Sequence, residues 1–102
     1  MTATLKPIHP GEILREEFLL PLNLTANALA RALSTDAPKI NDIVNEKRRI
    51  SSDTALRLAR YFGMSAEFWL GLQMRYDLAV AEDEKATQIE REVHPRENAR
   101  VA

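Results

Sequence analysis

The side chains of this 102-residue sequence that could do chemistry fall into a few groups, and most of them fail a test of spacing. Glu16 and Glu17 are adjacent, so on a helix they point about 100° apart and cannot share one substrate. They read as a solvated face. Ser51-Ser52 has no partnering base in a recognisable pattern. His9 and His94 are far apart and poorly accompanied by further ligands. No His-Glu-x-x-His, cysteine pair or calcium loop is present. With three glycines and no cysteine, the chain also lacks a phosphate-cradling loop and any thiolate or disulfide chemistry. The expectation is therefore no catalytic residue, no metal and no cofactor. What remains is recognition chemistry. Lys39, Asn41 and Asp42 offer hydrogen-bond donors and acceptors at close spacing, and Lys47-Arg48-Arg49 follows as a cationic run. Such a run is often only a solvated loop, but it also suits phosphate oxygens.

The length suits one domain, and 45% hydrophobic with 28% charged residues allows a modest core. The net charge is −1, which alone argues against a polyanion partner. Its distribution argues otherwise. From Arg31 to Arg60 there are seven basic residues against four acidic ones, whereas from Glu82 onward six acids face four bases. The central segment is locally basic and the C-terminal one masks it. No apolar run approaches a membrane span and no signal-peptide layout opens the chain, so a cytoplasmic protein with no membrane partner is expected.

Helical periodicity runs through the chain and no segment alternates with period two. A first helix is expected from about Pro10 to Leu20, with Pro10 in its first turn and Pro21 ending it. Asn23 suits a left-handed turn. Thr25 caps a short second helix to Leu33, with Leu24 and Leu29 as a hydrophobic staple. After Ser34-Thr35-Asp36 a third helix carries Ile40, Ile43 and Val44 inward and ends near Asn45. A fourth begins at Ser51 and ends at Gly63. A fifth is capped by Ser65 and runs to about Ala81. Residues 1–8 read as an arm, 9–81 as the folded domain, and 82–102 as a polar tail, either a fraying helical extension or disordered.

The second and third helices carry the most information. A three-residue turn is too short for them to run antiparallel, so the solvent side of the third helix projects outward. A helix in that attitude fits the major groove of duplex DNA. Helical hairpins with this spacing also occur without a nucleic-acid partner.

Several ordered blocks go further: His9-Pro10-Gly11-Glu12-Ile13-Leu14, Leu29-Ala30-Arg31-Ala32-Leu33, Lys47-Arg48 with Ile50, Asp53 through Gly63, Phe68-Trp69-Leu70-Gly71-Leu72-Gln73, and Arg75-Tyr76-Asp77-Leu78. From His9 to Ala81 the chain resembles the helix-turn-helix family of the Cro and phage-repressor type (XRE), in its HigA-like antitoxin branch. The resemblance implies an all-α, compact five-helix fold like that of lambda repressor. It implies a third helix that reads DNA through Ala37, Pro38, Lys39, Asn41 and Asp42, with Asn41 paired to adenine and Lys39 to guanine. Phosphates would be held by Thr25, Asn27, Lys47, Arg48 and Arg49. It further implies a homodimer on a palindromic operator controlling a toxin–antitoxin operon, and a HigB-like ribonuclease toxin as protein partner.

The sequence departs from the family pattern in places. Ser34 and Glu46 stand where glycine is usual after the second and third helices, so those turns are strained or closed differently. Pro38 lacks polar reach and Asp42 opposes the phosphate field. A solitary regulator without a toxin, or a helical interaction module without DNA binding, would share much of this pattern. Of the aromatic pair, Phe68 is expected to pack inward, and Trp69, Leu72 and Tyr76 to supply a two-fold dimer contact.

Overall fold

The computed structural model describes residues 6–97, all of whose regular structure is helical. Residues 1–5 of the expected arm and 98–102 of the expected tail lie outside the described residues. Five helices follow one another. Helix α1 (residues 10–22) begins with the turn Pro10–Ile13, widens to a π-helical segment at Leu14–Leu19 and closes with Leu20–Leu22; α2 is Ala26–Ala32, α3 Ala37–Val44, α4 Ser52–Phe62 and α5 Ala66–Glu92.

The N-terminal ends follow from local chemistry. Thr25 Oγ1 accepts from the Ala28 amide at 3.0 Å, Ser51 Oγ from Thr54 at 3.2 Å and Ser65 Oγ from Phe68 at 3.2 Å. Each satisfies one amide that the first helical turn leaves unpaired. His9 does the same for α1, where Nδ1 accepts from the Gly11 amide at 2.8 Å. Asp36 occupies the cap position of α3 by its backbone, without a side-chain bond.

The C-terminal ends share one closure. Asn23, Ser34, Glu46 and Gly63 all hold left-handed backbone, with φ of 54°, 54°, 64° and 68°. In each case the next amide reaches back to a carbonyl in the preceding turn: Leu24 to Leu19, Thr35 to Ala30, Lys47 to Asp42 and Met64 to Ala59. Only Gly63 takes this conformation free of a Cβ clash. Ser34 and Glu46 therefore hold, with a Cβ, the left-handed geometry that the expected glycines would supply.

Pro21 does not stop α1 at Leu20 as expected, because the helix has already changed register. In the π-helical segment the Leu20 amide bonds to Arg15 five residues back. The widened turn leaves space for the proline ring, and Pro21, Glu16 and Glu17 all face solvent, so the carbonyl that loses a donor stays hydrated.

The core is a single cluster. Leu14, Leu29, Ile40, Ile43, Ile50, Ala55, Leu58 and Trp69 are fully buried, drawn from all five helices and the loop after α3. Gly11 lets α1 meet α3 backbone to backbone, since a Cβ there would lie 1.7 Å from the Ile43 carbonyl oxygen. Trp69, and not Phe68, takes the inward place. Trp69 is 0% exposed and packs 5.0 Å from Phe18, while Phe68 stays 38% exposed. The register set by Ser65 aligns Trp69, Gln73 and Tyr76 on the inward stripe of α5, at the i, i+4, i+7 spacing. Phe68 is displaced to its flank. The larger ring takes the buried place although its Nε1–H finds no partner among the described residues. Trp69 thus belongs to the protomer's own core and is not available to a dimer contact.

Beyond Ala81 helix α5 continues to Glu92, with residues 81–97 exposed throughout. This projecting segment gives the molecule its elongated outline, 54 × 27 × 21 Å. No described helix is long and apolar enough to cross a membrane.

Candidate nucleic-acid interface

Helix α3 buries Ile40, Ile43 and Val44 and turns its other side outward. Pro38 is exposed, and Ala37, Lys39, Asn41 and Asp42 are half-buried around it. Among the described residues nothing covers the face on which Pro38 sits. Asn45, exposed at the end of the helix, shares that face and was not singled out by sequence. Its seven-residue spacing from Pro38, almost two full turns, was the available signal.

The expected side chains are not all free. Asn41 Nδ2 donates to the Ala37 carbonyl and to Asn27 Oδ1, both at 2.9 Å, which joins the outward sides of α2 and α3. Asp42 lies 3.7 Å from Arg48, so its charge is partly compensated. Thr25 and Asn27 are exposed at the start of α2. The cationic run divides. Lys47 is exposed and makes no ion pair among the described residues, Arg48 leans on Asp42, and Arg49 is drawn toward α5 by Asp77 at 3.0 Å. Buried Gln73 organises this last contact. Its Oε1 accepts from the Ile50 amide at 2.7 Å, and its Nε2 donates to Asp77 at 2.9 Å. The loop after α3 is thereby fixed from beneath.

Two arginines clamp the turns at either end of α3. Arg57 of α4 donates to the carbonyls of Leu33 (2.9 Å) and Ser34 (3.3 Å) and pairs with Asp53. Arg15 of α1 donates to the Val44 carbonyl and pairs with Glu46 at 3.1 Å and Glu16 at 3.0 Å. These bonds to carboxylates raise its pKa. Neither clamp was visible in sequence, because the turn atoms that each arginine holds lie more than twenty residues away.

The remaining expected sites sit elsewhere. Leu72 and Tyr76 are half-buried in a groove that Ile8, Ile13, Arg75 and Ala79 also line. Tyr76 stands edge-on to His9, with ring centroids 4.8 Å apart. Burial holds the His9 imidazole below its ordinary pKa, against the opposing pull of Glu46 and Asp77. Since Nδ1 accepts from Gly11, the neutral ring carries its proton on Nε2. Among the described residues no cluster of His, Asp or Glu could hold a metal.

A family model for a helix-turn-helix matches residues 14–69. Virulence-associated protein I of Dichelobacter nodosus is 59% identical over 78 residues, covering 76% of this chain and 72% of that protein. Among solved structures, the Pseudomonas aeruginosa antitoxin HigA with the higBA promoter superposes with a TM-score of 0.86 at 56% identity, covering 87% of this chain and 97% of that one. The antitoxin GraA in complex with its operator gives 0.87 at 42% identity, covering 100% and 99%. A domain match over more than half the chain, with backbones that superpose over nearly the whole of it, leads to one assignment: this chain belongs to the helix-turn-helix family of the Cro and phage-repressor type, on its HigA-like antitoxin branch.

Proposed function

We propose that this protein is a DNA-binding antitoxin that represses its own operon and neutralises a ribonuclease toxin by forming a complex with it. The observation that carries the reading is the uncovered outward side of α3 in a chain similar over most of its length to antitoxins described with promoter or operator DNA. Helix α3 enters the major groove, and Ala37, Pro38, Lys39, Asn41, Asp42 and Asn45 lie along the base edges. Thr25, Asn27, Lys47 and Arg48 contact phosphates. Arg49 contributes less, because it must first leave Asp77. Two protomers meet through surfaces that include Leu72 and Tyr76, which places two copies of α3 in successive major grooves.

Fluorescence anisotropy with a duplex from upstream of the chain's own gene, across a salt series, tests the DNA reading. Binding should weaken steeply as salt rises, because each phosphate contact releases counterions. Replacing Lys47 and Arg48 together by alanine should weaken binding to operator and scrambled DNA alike and flatten the salt slope by roughly one unit per lost contact. Absence of any salt-dependent affinity would refute DNA binding. The toxin reading is tested separately, by co-expression with the neighbouring gene product. Rescue of growth and a co-purified complex support it, and a neighbour that is harmless alone removes it.

A further inference from the structure

We infer that Asn27 and Asn41 work as one unit in which Asn27 locks Asn41 to present only a hydrogen-bond acceptor, so that the pair selects bases carrying an amino group in the major groove. This deepens the DNA-binding reading and rests on it. The logic begins at a backbone carbonyl. The Ala37 oxygen can only accept, so the Asn41 side-chain atom 2.9 Å from it must be the amide nitrogen. The second hydrogen of that nitrogen goes to Asn27, 2.9 Å away, which makes the receiving atom Oδ1. Two short bonds thus fix the orientation of both amides without reference to a ligand.

Counting the remaining capacity gives the selectivity. Asn41 has spent both hydrogens and keeps Oδ1. Asn27 keeps both hydrogens of its own Nδ2, on an exposed side chain near the start of α2. An asparagine that reads adenine alone must offer its own oxygen to N6 and its own nitrogen to N7. Asn41 cannot do this without giving up one of its two bonds. With Oδ1 alone it can accept from N6 of adenine or N4 of cytosine, and it faces a like acceptor at O6 of guanine or O4 of thymine. Asn27 is the positioning residue. Its free Nδ2 can donate to a phosphate oxygen while its Oδ1 holds Asn41, so backbone docking and base selection act through one side chain. The adenine pairing that the resemblance implied for Asn41 thereby becomes a single contact that treats adenine and cytosine alike.

The test uses the full chain and the shortest upstream duplex that it binds, with each base pair replaced in turn. At one or more positions adenine and cytosine should bind alike, and guanine or thymine about three- to tenfold more weakly, the range of one net hydrogen bond. At an adenine there, 7-deazaadenine, which lacks N7, should leave affinity within about twofold, whereas purine, which lacks the amino group, should show the full loss. Asn27→Ala frees one hydrogen of Asn41 for N7 or a carbonyl oxygen, so the equal treatment of adenine and cytosine should be lost without lowering the melting temperature appreciably. Asn27→Asp, which still accepts from Asn41, should preserve the preference while weakening binding overall. Equal losses with 7-deazaadenine and purine would show a fork to adenine and overturn the proposal. So would an unchanged preference in Asn27→Ala. A wild-type chain that binds no duplex would remove the DNA reading itself, whereas binding with no amino-selective position would remove only this inference.

Discussion

Ser34, just before α3, and Glu46, just after it, hold nearly the same left-handed backbone, and each turn is tied down by an arginine from another helix. The partners differ. On the Ser34 side Arg57 of α4 reaches backbone carbonyls only, so the Ser34 side chain plays no part in the clamp. On the Glu46 side Arg15 of α1 holds both the Val44 carbonyl and the Glu46 carboxylate. The second turn also rests on α1 through Gly11 and lies within electrostatic reach of His9. A backbone conformation that glycine would supply without strain is thus retained in two ways. One is indifferent to the residue placed there, and the other has recruited it.

The largest effect should come from the contact that only the Glu46 side possesses. In Gly11→Ala the new methyl would sit 1.7 Å from the Ile43 carbonyl oxygen, and neither backbone can yield without separating α1 from α3. A loss of about 3 kcal/mol or more is expected from overpacking of this severity. Urea denaturation would measure it, and a loss under about 1 kcal/mol would show the two helices to be loosely docked.

The clamps come next. Arg15→Ala should cost about 2 kcal/mol, chiefly by leaving the Val44 carbonyl without its charged donor, the ion pairs being half-exposed and worth less. Arg57→Ala should cost about 1 to 2 kcal/mol for the same reason at Leu33. A double-mutant cycle separates the two designs. Arg15→Ala with Glu46→Gly should show a coupling of about 0.5 kcal/mol, whereas Arg57→Ala with Ser34→Gly should be additive. Equal coupling in both cycles would erase the distinction.

Glycine placed alone in each turn gives a smaller signal. Ser34→Gly relieves the left-handed strain and adds unfolded-state entropy, for a net gain of about 0.5 kcal/mol. Glu46→Gly gains the same amount but forfeits the Arg15 pair, so it should change stability by less than about 0.5 kcal/mol in either direction. If Glu46→Gly stabilises as much as Ser34→Gly, the carboxylate contributes nothing.

These contrasts mark where the sequence was readable. The caps at Thr25, Ser51 and Ser65 and the left-handed turns at Asn23 and Gly63 follow from neighbours within a few residues, and all of them form. The family resemblance marked Ser34 and Glu46 as places where glycine was missing. How the strain is tolerated was hidden, since Arg57 and Arg15 approach from other helices. The same limit explains the aromatic pair. Phe68 and Trp69 are adjacent, and it takes the docking of the Trp69, Gln73 and Tyr76 stripe on Phe18, Ile50 and His9 to turn one ring inward. At the candidate interface, residue types were legible and their commitments were not. Asn41 bonded to Asn27, Arg48 to Asp42 and Arg49 to Asp77 are tertiary facts, and they change what each side chain has left to offer DNA.

The smallest expected effect is a pH dependence that touches the α1 side alone. His9 is buried, caps α1 with the lone pair of Nδ1, and has its pKa held below the ordinary 6.5 by desolvation. A histidine with a lowered folded-state pKa favours the neutral form, so its contribution is complete above the unfolded-state value. That contribution declines as pH falls below 6.5 toward the lowered value, because the unfolded chain then binds the proton more readily. Protonating Nδ1 also removes the acceptor for the Gly11 amide, which loosens the start of α1 where it meets Ile43. Hydrogen-exchange protection, corrected for intrinsic rates, should therefore fall first at Gly11 and Lys47 and later at Thr35, whose turn is held by Arg57 of α4. His9→Asn, which can still cap the helix but does not titrate, should flatten this difference. Parallel loss of protection at Lys47 and Thr35 would mean that acid acts on the fold as a whole, and the two turns would then differ in their partners but not in their sensitivity.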